Sequence, residues 1–171
     1  MFKHTTGVTV MMAGMFLAPA DAATKTDLHG IALGMTADQV IVGAHLPCQT
    51  PPYSSDIACT DGSDGSDYRA AFSGGLPSVV LTVARSFCSP ASPAVVLGGM
   101  LNAFGKGRRA AAPDPNGYHV DLDATTEAIL SADDGSCPAG RGRHYVVALR
   151  SNALIEASSR QALDRAKKAL R

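Results

Sequence analysis

At 171 residues, 46% hydrophobic and with 15 Lys/Arg against 15 Asp/Glu, the chain has the length of one domain and no net charge. A neutral domain has no general electrostatic pull toward nucleic acid. No apolar run reaches the roughly 20 residues that a membrane-spanning helix needs, so no transmembrane span is expected.

Lys3 and His4 precede an apolar run at 7–17 (GVTVMMAGMFL), followed by Ala20-Asp21-Ala22. A basic start, a short apolar run and an A-x-A site form a secretory signal. Residues 1–22 are expected to be a cleaved signal peptide and residues 23–171 a single domain, periplasmic or secreted. No Cys stands directly after the apolar run to carry a lipid. Cys48, Cys59, Cys88 and Cys137 all lie beyond the cleavage site. An even count in an exported chain favours disulfides. Of the three pairings that four cysteines allow, Cys48–Cys59 with Cys88–Cys137 is the one expected here. The first pair is close in sequence and can clamp a helix end to the next strand. A four-Cys zinc site needs ligands at C-x₂₋₄-C spacing, and no two of these cysteines are that close.

Residues 27–33 alternate weakly and read as a first strand. Gly34 allows a tight bend. Thr36 at N-cap and Gln39 at N3 form a capping box, with Met35 placed to staple onto Val40. The helix is expected over 37–45, ending before Pro47 because the residue preceding Pro avoids the α region. Three strands follow, at 56–60, 68–73 and 78–87, joined by DGSDGSD (61–67) and by Gly74-Gly75. Links this short favour an antiparallel meander.

Ser92 with Pro93 opens a second helix. Its Leu97, Met100, Leu101 and Phe104 make one apolar stripe, and Gly98 and Gly99 are read as letting a neighbouring element approach closely. A basic, Pro-containing connection follows at 106–115. Strands are expected at 118–122 and 127–132, then a hairpin of 144–150 with 153–157 around Ser151-Asn152. A capping box of Ser158 and Gln161 opens a final helix. Its Ala162, Leu163, Ala166, Ala169 and Leu170 are expected to face inward, with Arg160, Lys167, Lys168 and Arg171 outward. Strands gathered between helices give an α+β fold: an antiparallel β-sheet with two or three helices packed on one face, stapled by disulfides.

The motif G-I-x-L-G-M-T-x-x-Q-V, Gly30 to Val40, resembles the opening of small exported bacterial domains of the SmpA/OmlA and β-lactamase-inhibitor-like type. The resemblance implies an α+β protein-binding module of the cell envelope. It carries no partner-contacting residue onto this chain, and the lipidated Cys usual in the outer-membrane-assembly members is missing here.

Chemistry-bearing motifs are few. Asp61, Asp64 and Asp67 are spaced by threes, whereas an EF-hand loop needs acidic ligands at 1, 3 and 5 and a Glu at 12. Position 12 from Asp61 is Phe72, so the run reads as a solvated hairpin loop. His119, Asp121 and Asp123 alternate along one strand and are the candidate polar site, able to supply half of an acid–base or metal site. His144 joins them only if its strand lies alongside. The chain contains neither G-x-S-x-G nor H-E-x-x-H, and no motif assigns a cofactor or a metal. The reading is therefore a non-enzymatic exported module that binds another envelope or secreted protein, an inhibitor of a secreted enzyme being one special case. The alternative is a small periplasmic hydrolase using His119 and Asp121.

Overall fold

The computed structural model describes residues 27–52, 54–74, 77–104, 117–133 and 137–170. The expected signal peptide and the basic connection at 106–115 lie outside the described residues.

The molecule is α+β, with a seven-stranded antiparallel sheet. The chain opens on a two-residue hairpin, β1 (Asp27–Leu28) and β2 (Ile31–Ala32), rather than one strand. His29 and Gly30 have φ of 55° and 80°. Two consecutive positive φ values make the turn whose twist suits a tight hairpin. A Cβ on Gly30 would also meet the Gly43 carbonyl oxygen, which explains the opening glycine of the motif. Gly34, at φ 83°, makes the bend expected of it. Its N–H donates to the Val80 carbonyl, and the Val80 N–H donates to Met35.

Helix α1 (Ala37–Gly43) starts at the expected box. The Gln39 N–H donates to Thr36 Oγ1 at 3.5 Å, and the Thr36 N–H donates to Gln39 Oε1 at 2.9 Å. Strand β3 (Cys48–Gln49) then pairs with β4 (Ile57–Asp61), placing Cys48 opposite Cys59. Both disulfides are formed, Cys48–Cys59 and Cys88–Cys137. Strands β5 (Ser66–Phe72) and β6 (Val80–Ser89) complete the meander, with a bulge between Ala71 and Phe72. Helix α2 (Pro93–Phe104) begins at the expected proline, and the chain leading into it is held by the buried Tyr145, whose hydroxyl donates to the Ala91 carbonyl. Strands β7 (Tyr118–Asp121), β8 (Thr126–Asp133) and β9 (Arg143–Ser151) follow, giving the sheet order β3-β4-β5-β6-β9-β8-β7.

The core lies on the sheet face carrying Ile57, Tyr68, Ala70, Val83, Val120, Ala128, Leu130, Tyr145 and Leu149. Val40 of α1 and Met100 and Phe104 of α2 close over it.

The last helix departs from expectation. Residues 153–157 are not the second arm of a hairpin, and Ser158 is not a cap. Helix α3 (Asn152–Ala169) begins directly after β9, with the Leu154 N–H donating to Ser151 Oγ at 3.3 Å. Ser151-Asn152 has turn composition, but the same serine oxygen serves as an N-cap. Nor do Ala162, Leu163, Ala166, Ala169 and Leu170 face a core: all are exposed, and no α3 residue is buried. Only Leu154, Ile155 and Ser158 are half-covered.

Candidate functional site

The residues read as a polar site are only partly brought together. His119 and Asp121 lie on the outer face of β7, opposite the buried Val120. The partner missed from sequence is Glu127. The 122–125 turn folds β8 back so that Asp121 sits across from Glu127 and His119 across from Ile129, which leaves His119 diagonal to Glu127. His119 Nδ1 lies 2.9 Å from Glu127 Oε2, and Arg150 Nε of β9 donates to Glu127 Oε1 at 2.7 Å. Counting back from the turn is the signal that would have found this contact.

Glu127 is 6% exposed. Burial pushes its carboxyl up, but the hydrogen bonds from His119 and Arg150, with the Arg150 charge and an Asn152 bond, hold it below the ordinary value. One buried carboxylate thus ties three strands, with the His119 ring on one oxygen and the Arg150 guanidinium on the other. A carboxylate on Nδ1 fixes the orientation of the imidazole.

Asp123 does not belong to this group. Its Oδ1 accepts from the Thr125 N–H at 2.7 Å and the Thr126 N–H at 2.8 Å, closing the β7–β8 turn. The Thr125 backbone bond leads the causes that lower its pKa. His144 is on β9, beyond β8, and bonds Asp133 at 2.8 Å at the far end of that strand.

The DGSDGSD run is a hairpin loop, as expected. Asp61 accepts from the Ser63 N–H at 2.8 Å, Asp67 accepts from the Thr60 hydroxyl at 2.9 Å, and Asp64 accepts from the Ser66 N–H at 2.8 Å and from Arg85 Nη2 at 2.6 Å. The three carboxylates serve separate bonds and do not converge.

The larger concavity is elsewhere, between α2 and the core face of the sheet. It is a cleft of about 460 Å³. Val96, Met100 and Phe104 form one wall, Leu28 and Val147 another, and Arg85 with Tyr68 and Phe87 the floor. Arg85 faces the core side because it pairs with Tyr68 on one strand and Val147 on the other. Its Nε donates to the buried Ser66 hydroxyl at 3.1 Å, and its guanidinium carbon lies 4.9 Å from the Phe87 ring centroid and 5.8 Å from that of Tyr68. Burial leads the causes that raise the Tyr68 phenol. Gly98 and Gly99 do not admit a close neighbour, contrary to expectation: a Cβ on either would meet nothing within 4 Å. Gly99 instead leaves the cleft open. The alternation Val83-x-Arg85-x-Phe87 would have placed an arginine on the apolar face had strand parity been followed. Comparison of the chain with protein-family models, with curated proteins and with solved structures finds no match.

Proposed function

We propose that this chain is an exported, non-enzymatic module of the bacterial cell envelope that binds another protein through α3. The observation that carries the reading is the state of that helix. It runs for 18 residues with none buried, and Leu163 and Leu170 are 55% and 88% exposed. Helices in water draw most of their stability from packing an apolar face, so a long helix that buries none of its residues against its own sheet suits a second surface. Its outer turns carry Arg160, Arg165, Lys167 and Lys168 against Glu156 and Asp164, so the complementary partner surface is acidic with an apolar centre. Two disulfides agree with an oxidising compartment, and the Gly30–Val40 resemblance points to the same class. The hydrolase alternative is weaker, because Glu127 bonds Arg150 as well as His119 and so answers to strand cohesion.

The test is site-specific photocrosslinking in the periplasm, with the probe at Leu163 and a control probe at the exposed Thr60. A single adduct from Leu163 alone is expected. Lys167→Glu with Lys168→Glu should weaken it about tenfold at low salt. Equal adducts from both sites, or no effect of charge reversal, would overturn the reading.

A further inference from the structure

We infer that the cleft between α2 and β6 is a binding site for a small amphipathic carboxylate, its apolar body along α2 and its head group at Arg85. This is separate from the α3 reading and uses none of its residues.

The cleft volume, about 460 Å³, falls in the range of small-molecule sites, which combine apolar walls with a few fixed polar groups. Here Val96, Met100 and Phe104 supply the wall, and Arg85 supplies the fixed group. An arginine facing the core side of a central strand needs a reason. It brings a cation against apolar surface, where partners must satisfy it. Ser66 and Asp64 do so through Nε and Nη2, and none of those bonds uses Nη1. The guanidinium is thus held in place before a ligand arrives, with the Nη1 N–H groups left for a carboxylate oxygen. The Phe87 and Tyr68 rings beside it keep water from one side.

Two carboxylates, Asp64 and Asp27, border the site. Asp64 neutralises Arg85 only from the open side, with its side chain 42% exposed, where solvent screens the pair. Asp27, which also lines the cleft, accepts from the Gly30 N–H. His29 stands beside Tyr68, ring centroids 5.2 Å apart. Gly99 completes the site by leaving the α2 wall open where any other residue would place a side chain.

The experiment titrates the purified disulfide-bonded protein with decanoate, octanoate, 1-decanol and decylammonium below their aggregation concentrations, following amide and methyl NMR shifts. Saturable shifts at Gly99, Met100 and Phe87 are expected. Decanoate should bind about tenfold more tightly than decanol, the size of one charge-assisted bond. It should exceed octanoate by about sixteenfold, about fourfold for each of two methylenes. Arg85→Gln should abolish the preference of decanoate over decanol and leave decanol binding intact. Gly99→Leu, which places a side chain in open space, should weaken every ligand without loss of fold. This variant keeps the test decisive if Arg85→Gln does not fold. Tighter binding of decylammonium than decanoate, shifts outside the cleft, or no effect of Gly99→Leu would each overturn the proposal. Lys167→Glu with Lys168→Glu should leave these titrations unchanged, which separates this site from the α3 partner.

Discussion

Thr36 and Glu127 show how much one side chain can fix. The Thr36 hydroxyl accepts an N–H that the first turn of α1 would otherwise leave unbonded. Thr36→Ala is expected to cost about 1 kcal/mol in chemical denaturation, and Thr36→Ser much less. Gln39→Ala should cost less than Thr36→Ala, and the two losses should not add, because each residue bonds the other. Glu127 works by charge. Its folded pKa lies below its unfolded value, so its contribution to stability is full above the ordinary carboxylate range, near 4.3. That contribution is lost as pH falls through the lower folded value. Glu127→Gln should therefore destabilise the protein by about 1–3 kcal/mol at neutral pH, since it leaves Arg150 without its partner. It should also flatten the acid limb of the stability profile. An acid limb identical to wild type would mean that the carboxylate is not the group responsible.

Among the elements, those whose start signals are local were legible in the sequence. Thr36 with Gln39, and Ser92 with Pro93, named their helices, and the DGSDGSD turn named the β4–β5 hairpin. Two classes of feature were not. Ser151-Asn152 suits a turn or a helix cap equally, and only the continuation of the chain past β9 decides between them. The Arg150 bond to Glu127 and the Ser66 bond to Arg85 depend on which strand lies beside which, and composition does not carry strand order. The cleft was hidden for the same reason: glycines in a helix are read as closeness, while here Gly99 leaves space. For α3 the absence of buried residues gives a direct expectation. A chain ending at Ser159 should lose no more than about 1 kcal/mol of stability, since residues 160–170 are all exposed and, among the described residues, the hydrogen bond lost to the rest of the fold is Arg165 to the Gly74 carbonyl, at 2.8 Å. The same truncation should abolish co-purification of the partner. A cooperative loss of fold would show that the helix belongs to the core after all.

At the scale of the molecule, the two disulfides hold different things. Cys48–Cys59 closes a separation of 11 residues and Cys88–Cys137 one of 49. On the chain-entropy account these are worth about 3 and about 4 kcal/mol, so Cys88→Ala with Cys137→Ala should lower stability more than Cys48→Ala with Cys59→Ala. Alkylation of the denatured, unreduced protein should label no cysteine, whereas labelling of all four would place the chain in a reducing compartment. The sheet order has one more consequence. Its outermost strands are β3, two residues long and bolted to β4, and β7, four residues long and bearing His119 and Asp121. An open strand edge is a template on which another chain can build fibrils or swap strands, and short, charged or covalently fastened borders resist it. A protein bordered in this way can reach high local concentration without seeding its own aggregation, while the helix it extends remains free to meet a different surface.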